Sequence, residues 1–455
     1  MCSGPVLRKM IVFTLPIMFS GLFQLLFNAT DIIVVGRFAG DNALAAVGSN
    51  TALINLMTNL FIGISIGANV VAARYCGAKN YSELNRTVHT SMLLSVISGF
   101  LLMAAGLLFA EQILGLMSTP ESILGMASDY LRLYFCGMPF MMIYNFGNAL
   151  LRAAGDTRRP LIYLICGGVV NVLLDLLFVI ALDMSAAGVG LATAISQGGS
   201  AALMVRCLMR EKDENGLKLR LKNLRIHKDK LLMILKIGLP AGFQGTVFSL
   251  SNVVIQSSIN LFGEAVIAGN SASIEGFVYM AMNSCYQSTL SFTSANIGAG
   301  KYERINKILR CGLLCVVAVW AILGLGVAMT FSRPLLSIYT SGDEAINAGV
   351  HRMMYVCGTY FLCGIMDVMV GSLRGMGYSV TPMIVSLLGA CGLRLVWLGT
   401  VFQMEQFHTP DTVYLSYPVS WVITVAAHVI CFFICRRRLK KKVQLRKTES
   451  VPEAR

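Results

Sequence analysis

Two acidic residues lie inside apolar stretches that are long enough to cross a membrane. Asp31 belongs to an apolar stretch over residues 10–38, and Asp175 belongs to another over residues 160–182. A carboxylate at membrane depth is costly, and one that is retained there usually binds or titrates something. The two acids therefore mark the place where this chain is best equipped for chemistry.

Neutral polar residues share helical faces with these acids. Gln24 and Asn28 lie seven and three residues before Asp31. Asn171 lies four residues before Asp175. Residues three or four positions apart fall on one face of a helix. Each acid thus belongs to a polar stripe, which must face protein or water rather than lipid.

The two acids allow two kinds of cation chemistry. Loss of water disfavours an ionised carboxylate, and a second carboxylate nearby disfavours it further, so one of the pair could exchange a proton near neutral pH. Alternatively, carboxylate, amide and hydroxyl oxygens could enclose a hard cation such as Na⁺. In a third, structural interpretation, Asp31 and Asp175 only hold helices together through hydrogen bonds. We favour it least, because an Asn or a Ser would do so at lower cost.

The composition places the chain among membrane proteins. Hydrophobic residues make up 56% and charged residues 13% of its 455 residues, and the mean hydropathy is +0.68. Soluble proteins carry roughly 25% charged residues. Segments of roughly 20 apolar residues can span a bilayer as helices. We predict an all-α integral membrane protein with twelve spans, at residues 10–36, 44–72, 87–110, 128–151, 160–182, 187–209, 231–261, 266–296, 306–331, 350–373, 380–402 and 413–435.

The basic residues indicate the orientation of the chain. Most of the 37 Lys and Arg residues fall before the first span, in the even-numbered connections and in the tail. Basic residues concentrate in cytoplasmic connections. We therefore expect a multi-pass protein of the cell (inner) membrane with both termini in the cytoplasm. The net charge of +14 then reflects topology and attraction to anionic lipid, not nucleic-acid binding.

Other predicted spans also carry polar residues. They are Tyr130, Tyr134, Tyr144, Asn145 and Asn148 in the fourth span, Asn252, Gln256 and Asn260 in the seventh, and Glu275, Tyr279, Asn283 and Gln287 in the eighth. Asp367 and Arg394 follow in the tenth and eleventh spans. Arg394 could pair with Glu275 or Asp367, which would make these acids structural. Alternatively, one of these acids attracts a cationic substrate.

The two halves of the chain resemble each other. Four matched pairs occur in the same order and at nearly the same separation: Pro16 with Pro240, Asn28 with Asn252, Gly77 with Gly298, and Arg152 with Arg374. Such a series argues for duplication of a six-helix unit. Two pseudo-symmetric lobes of equal orientation suit a transporter with a central cavity between them.

The repeat predicts how the chain is organised. We expect an N-terminal lobe over residues 1–209, a basic cytoplasmic linker over 210–230, a C-terminal lobe over 231–435 and a basic cytoplasmic tail over 436–455. Proline inside a helix removes a backbone hydrogen bond and permits a bend. Pro16 and Pro240 are therefore predicted hinges, and bending at Pro16 could respond to the charge state of Asp31.

Several motifs in combination support a family resemblance. They are Leu15-Pro16, the run Asn28-Ala-Thr-Asp31-Ile-Ile-Val-Val-Gly36-Arg37, Ala45-Ala46-Val47-Gly48, Leu151-Arg152-Ala-Ala-Gly155-Asp156-Thr157 with Pro160, and Asn171 with Asp175. Through them the chain resembles the multidrug and toxic compound extrusion (MATE) transporters, over residues 8–435, and the Asn171–Asp175 pair resembles their DinF-like prokaryotic branch. The seventh span lacks the Glu that the other prokaryotic branch carries.

The resemblance implies roles for particular residues. Asp31, Asn171, Asp175 and Thr193 would form the cation-coupling site, for H⁺ or for Na⁺. Together with the polar residues above, it gives an expected substrate cavity of Gln24, Asn28, Tyr130, Asn145, Asn148, Gln256, Glu275, Tyr279 and Asn283. Family members export cationic, amphiphilic drugs in exchange for the coupling ion. We therefore expect a secondary active multidrug antiporter that alternates access by rocking its lobes, with small-molecule substrates, membrane lipid around it and no obligate protein partner.

Other functions fit the sequence less well. A flippase of lipid-linked oligosaccharide or peptidoglycan precursor is the alternative, but it would need a strongly basic cavity for pyrophosphate. Here the intramembrane acids outnumber Arg394. A membrane enzyme is not expected, because no catalytic motif is present and the five His residues are dispersed. The 13 Cys residues show no metal-ligand spacing, so we expect no cofactor.

Overall fold

The structure is a computed structural model that describes residues 1–117, 119–271, 274–338 and 342–449. Within these ranges the chain forms helices and no β-strand. The α-helices are α1 (Val6–Val34), α2 (Asp41–Ala78), α3 (Tyr81–Leu116), α4 (Glu121–Cys136), α5 (Met138–Ala154), α6 (Arg158–Asp175), α7 (Ser185–Met209), α8 (Lys228–Ile259), α9 (Glu264–Ser271), α10 (Ile274–Gly298), α11 (Arg304–Val319), α12 (Ser332–Leu336), α13 (Asp343–Val356), α14 (Phe361–Met376), α15 (Val380–Ser386), α16 (Leu393–Gly399) and α17 (Pro410–Glu449). The predicted all-α membrane fold is confirmed.

Most of the predicted spans are recovered as long apolar helices. In the described part of the chain, nine helices are long and apolar enough to cross a membrane, and α13 with α14 makes a tenth that is bent by 47°. The predicted spans 128–151 and 266–296 are not among them. The first coincides with α4 and α5, which are separated at Gly137, and the second with α9 and α10, which carry many polar residues. Polar, interrupted helices are tolerated at membrane depth where protein or a water-filled cavity shields them.

The helices form two lobes. In the first lobe α3 packs on α4 and α5, and α7 packs on α4, α5 and α6. In the second lobe α14 packs on α10, α11 and α17. The main contacts between the lobes join α2 to α8 and α10, and α1 to α10. The candidate site described below therefore lies in one lobe, beside a helix that also touches the other.

Paired glycines bring α2 and α8 together. A Cβ atom on Gly63 would lie 2.1 Å from the backbone nitrogen of Gly242, and one on Gly238 would lie 2.5 Å from the Cα atom of Ile64. Gly63 and Gly67 on α2, like Gly238 and Gly242 on α8, are four residues apart. Small residues at this spacing let membrane helices approach closely. The backbones of the two lobes are thus in direct contact here.

The interlobe hydrogen bonds lie towards one end of the bundle. We call this end the basic side; it contains the α2–α3 turn, residues 210–227 and the start of α8. There Lys230 pairs with Glu83, and its Nζ donates to the hydroxyl of Tyr75 over 2.7 Å. Among the described residues, the bond farthest from the basic side runs from Asn59 Nδ2 to Ser249 Oγ over 2.9 Å.

The first residues of the chain also bind the second lobe. Lys301 Nζ donates to the carbonyl of Cys2 over 2.8 Å, and Arg304 donates to that of Gly4 over 2.9 Å. These bonds strengthen the closure on the basic side.

At the other end of the chain, α17 continues through the predicted basic tail to Glu449.

Candidate functional site

Each of the two predicted acids lies beside a π-helical segment. Asp31 lies near the end of α1, before the π-helical residues Val35–Ala39. Asp175 ends α6, and the π-helical residues Leu176–Ala181 follow it directly. π-Helical insertions are rare and occur often at functional sites, because the extra residue re-aims neighbouring side chains. The two segments pack on each other, which brings the ends of α1 and α6 together.

The structure brings the carboxyl groups of Asp31 and Asp175 side by side, close enough to interact directly. Asp175 is fully buried, and Asn171, one turn before it, is 6% exposed. Tyr130 from α4 is 6% exposed and lies within electrostatic reach of both carboxyl groups. The predicted cation-site residues on α1 and α6 therefore belong to one cluster.

Several buried polar atoms around the two acids lack hydrogen-bond partners in the described part of the chain. Apart from the interaction between the two carboxyl groups themselves, Asp31 Oδ1, Asn171 Nδ2 and both carboxyl oxygens of Asp175 are buried with no other hydrogen-bond partner among the described residues. Thr193 Oγ1 is likewise buried without a partner there, on α7, which packs on both π-helical segments. Leaving a buried polar group unsatisfied costs about 1–3 kcal/mol, and more for a charged group. Carboxylate, amide and hydroxyl oxygens are the donors that a hard cation prefers.

The other polar residues of the first lobe have different surroundings. Gln24 and Asn28 are exposed on α1. Asn145 is half-buried, and its Nδ2 donates within α5 to the carbonyl of Met141 over 2.9 Å. Asn148 is also half-buried. Exposed polar groups on a spanning helix require water or protein beside them, which is the environment that a substrate cavity supplies.

The polar residues of α8 bond mainly to one another and to α9. Gln256 Nε2 donates to Asn260 Oδ1 over 2.9 Å, and Asn270 Nδ2 donates to Gln256 Oε1 over 2.5 Å. Both bonds lie far from the basic side. Gln256 therefore belongs to a network within the second lobe, at its end opposite the basic side. The described residues form no hydrogen bond between the lobes at that end.

Tyr279 and Asn283 lie one turn apart on α10. Tyr279 is 36% exposed although it is in a span, and its ring centroid is 6.3 Å from that of Tyr360. Asn283 Oδ1 accepts a hydrogen bond from Gln287 over 2.8 Å. Asp367 lies beside the Tyr279 side chain. An acid and two aromatic rings, one of them exposed, could receive a cationic group.

Of the two alternatives for the acids of the second half, pairing with Arg394 is not found among the described residues. Glu275 Oε1 pairs with Arg352 Nη2 over 2.5 Å, and both side chains are 11% exposed. Arg394 instead donates from Nε to Ser420 Oγ over 2.9 Å, and its guanidinium lies 4.3 Å from the ring centroid of Tyr417. Within the described residues it forms no ion pair. The reason is helix orientation, because α13 presents Arg352 to α10 while α16 directs Arg394 towards α17.

Sequence reasoning missed two features. Arg352 was expected near the end of a span, outside the membrane interior, so its role as the partner of Glu275 was not anticipated. The interlobe glycines were also missed, although Gly63 with Gly67 and Gly238 with Gly242 have the spacing of a helix-packing motif. That spacing could have indicated the α2–α8 contact.

Comparison with protein families supports the internal repeat. A family model described as MatE matches residues 16–177 and residues 240–398. The two matched ranges begin at Pro16 and Pro240, the first pair of the repeat. Together they cover more than half of the chain.

Curated relatives match the chain over nearly its whole length. "Probable multidrug resistance protein YoeA" of Bacillus subtilis is 26% identical over 429 residues, which cover 92% of each chain. "FAD transporter" of Shewanella oneidensis is 22% identical over 447 residues, which cover 96% of this chain and 95% of the relative.

The fold is shared with solved transporter structures. One is described as the outward-facing conformation of a multidrug resistance MATE family transporter of the MOP superfamily. Its TM-score is 0.87 at 19% sequence identity, with 96% of this chain and 97% of that chain covered. The likeness extends to both lobes.

Proposed function

The chain belongs to the MatE family of membrane transporters, and we propose that it exports small organic cations and amphiphilic drugs in exchange for H⁺ or Na⁺. A transporter of this family is not an enzyme. The names of several relatives, which describe multidrug resistance or export, support the substrate class. The coupling site, its ion and the transport cycle are parts of the proposal.

The observation that carries the proposal is the pair of buried acids in the first lobe. Asp31 and Asp175 lie side by side with unpartnered carboxyl oxygens and no basic partner among the described residues. Two adjacent carboxylates without a cation repel each other. A bound H⁺ or Na⁺ relieves that repulsion, and its release restores it. In this proposal Asp31, Asn171, Asp175 and Thr193 supply the oxygen atoms that hold the ion.

The interlobe contacts suggest how access alternates. The lobes are held together by the Gly63–Gly242 approach near the middle of α2 and α8, and on the basic side by the Lys230–Glu83 pair. We propose that the opposite side is open in this conformation. Rocking of the lobes would then break the contacts on the basic side and expose the cavity there. Pro16 and Pro240 lie inside α1 and α8, where a proline permits bending.

The charges inside the lobes support a cationic substrate. Asp31, Asp175 and Asp367 have no ion-pair partner among the described residues, whereas Glu275 is neutralised by Arg352. The opposing buried charges include Arg374, which bonds to Tyr286 and Gln244 within electrostatic reach of Asp367, and Arg394, which aromatic rings cover. The relative named as an FAD transporter carries an anionic substrate, so an anion should be tested beside the cations.

Transport by purified protein in liposomes tests the proposal. Ethidium serves as the cationic probe and FAD as the anionic one, and a Na⁺ gradient or a pH gradient is imposed separately. We expect one of the gradients to drive ethidium against its concentration, while FAD does not move. Liposomes without protein provide the background. If neither gradient drives ethidium, the proposed antiport is wrong; if FAD moves instead, the proposed substrate class is wrong.

The proposed location is the cell (inner) membrane with both termini in the cytoplasm. The basic side, which includes the linker and α17 beyond residue 435, would then face the cytoplasm. Epitope tags on both termini, probed in intact and in permeabilised cells, test this orientation. We expect both tags to be reached only after permeabilisation. Labelling of either tag in intact cells would contradict the orientation.

A further inference from the structure

A groove on the first lobe runs between α5 and α7. It has a volume of about 570 Å³, and its lining is apolar apart from Arg206 and Arg210. All its lining residues belong to these two helices and to Arg210, which follows α7, so it does not lie between the lobes. Phe140 and Met209, each 42% exposed, border it. The groove therefore opens towards the surroundings of the first lobe.

The spacing of small and basic residues along α7 explains why the groove is apolar at one end and cationic at the other. Gly198, Ala202, Arg206 and Arg210 follow one another at four-residue spacing and lie on one helical face. The two small residues leave room beside Phe140; a Cβ atom on Gly198 would lie 3.7 Å from its ring. The two arginines come last, where α7 ends. The groove is thus apolar at membrane depth and cationic at the membrane edge.

The two arginines are not neutralised by neighbouring acids. Of the carboxylates near this end of α7, Asp156 and Glu211 pair with Arg159, Asp213 pairs with Lys218 and Arg220, and Glu214 forms no ion pair among the described residues. In the described part of the chain, Arg206 and Arg210 form no ion pair, and both are exposed. Basic residues at this level of a membrane protein attract anionic headgroups. The charge of the groove therefore complements a lipid phosphate.

In the second lobe, α14 and α17 pack on each other as α5 and α7 do in the first. There Trp421 on α17 is 2% exposed and packs in one cluster with Cys363 and Met366 on α14. A bulky side chain therefore lies within that contact, whereas small residues of α7 line the groove of the first lobe.

We propose that the groove binds one anionic glycerophospholipid from the bilayer leaflet at the basic side. An acyl chain lies along Gly198 and Ala202 against Phe140, and the phosphate contacts Arg206 and Arg210. The occupant is a lipid and not a free phosphate, because most of the groove is apolar and opens between spanning helices. Basic pockets between such helices bind anionic headgroups.

A tryptophan placed in the groove tests this proposal. The three natural Trp residues, Trp320, Trp397 and Trp421, all lie in the second half of the chain. Phe140→Trp adds a reporter at an exposed position, and lipids with brominated acyl chains quench a tryptophan that they touch. The full chain is reconstituted with brominated phosphatidylglycerol or brominated phosphatidylcholine at equal mole fraction. We expect stronger quenching of the added tryptophan by the anionic lipid.

Charge variants separate a specific site from general attraction. Each arginine should raise the preference for phosphatidylglycerol over phosphatidylcholine about fivefold. This factor corresponds to the attraction of about 1 kcal/mol that a basic residue near an anionic membrane surface provides. Arg206→Gln with Arg210→Gln should therefore remove the preference. Arg437→Gln with Arg438→Gln, two exposed arginines at the same side on α17, is the matched control and should keep it. Added inorganic phosphate should not compete.

Three outcomes would overturn the proposal. They are equal quenching by the two lipids, a preference that survives loss of both arginines, and a preference that the control pair removes to the same extent. Native mass spectrometry of the protein without the added tryptophan gives a second measurement if Phe140→Trp fails to fold. In that measurement, the amount of phosphatidylglycerol retained by the protein should decrease in the Arg206/Arg210 variant and not in the Arg437/Arg438 control. If the Arg206/Arg210 variant retained as much as the unsubstituted protein, the proposed site would be wrong.

Discussion

The two lobes share one plan of helices but differ in how the charges of their buried acids are balanced. In the first lobe, Asp31 and Asp175 lie side by side without a basic partner among the described residues. In the second lobe, Glu275 is paired with Arg352, and Asp367, although it forms no ion pair among the described residues, lies within electrostatic reach of Arg374. A duplicated fold therefore preserved its packing while its interior charges diverged.

This difference suggests a division of labour between the lobes. An unpaired pair of carboxylates can take up and release a cation, because its charge is not already balanced. A buried ion pair is balanced, and removing either partner leaves an uncompensated charge. We therefore expect changes in the first lobe to affect ion coupling, and changes at the Glu275–Arg352 pair to affect stability.

The largest effect is expected at the acids of the first lobe. Asp31→Asn keeps the size of the side chain but removes its charge, so gradient-driven ethidium transport should fall to the level of protein-free liposomes. Asp175→Asn should do the same. Asp129→Asn, which changes a 67%-exposed acid of the same lobe, is the control and should transport normally. Full activity of Asp31→Asn would remove this residue from the mechanism.

The next largest effect is expected at the ion pair of the second lobe. Glu275→Gln leaves Arg352 buried without its partner, which typically costs about 3–5 kcal/mol. The unfolding temperature in detergent should therefore decrease strongly. Replacing both residues by apolar ones, as in Glu275→Leu with Arg352→Met, should restore most of it. If Glu275→Gln instead keeps its unfolding temperature and loses substrate binding, the pair acts on substrate and the contrast between the lobes is wrong.

A smaller effect is expected where the lobes touch. Gly63→Ala places a Cβ atom 2.1 Å from the backbone of Gly242, so α2 and α8 must separate. Overpacking of this kind costs about 1–3 kcal/mol. Maleimide labelling of Cys76, near the basic end of α2, should increase, as read by mass spectrometry. Gly245→Ala, whose Cβ would meet Asn59 at an ordinary 3.5 Å, is the control. Equal labelling of the two variants would argue against a closed interface.

The smallest effect is expected at the prolines. Pro16→Ala should slow transport without abolishing ion binding, because α1 regains a backbone hydrogen bond and bends less easily. Pro240→Ala changes the matched residue of the second lobe, which carries no coupling site in our proposal, and should slow transport less. Normal transport by Pro16→Ala would count against coupling between this bend and Asp31.

Some of the candidate site followed from local sequence pattern. The polar stripe of Asn171 and Asp175 was predicted from four-residue spacing, and the structure places both residues in the interior of the first lobe. The association of Asp31 with Thr193 came from family resemblance, because the two residues are distant in the chain. That grouping stays a prediction. The coupling role itself stays a prediction until transport is measured.

The charge pairing of the second lobe could not be predicted in the same way. Arg394 and Arg352 both lie in apolar stretches, and the sequence offered Arg394 as a possible partner of Glu275 or Asp367 without deciding between pairing and no pairing. The choice depends on how far each helix is rotated about its own axis and on the bend between α13 and α14. Neither quantity is encoded in a local pattern of apolar and polar residues.

The amino-acid sequence by itself determined the all-helical membrane fold, the repeat of two lobes and the presence of acids at membrane depth. These follow from hydropathy, spacing and composition, which act over one helix at a time. The tertiary structure alone decided that Glu275 meets Arg352 and that Gly63 meets Gly242, whereas the meeting of Asp31 with Asp175 was implied by family resemblance but not by any local pattern. Such contacts depend on the packing of whole helices, because a small rotation of one helix exchanges the residues that face its neighbour.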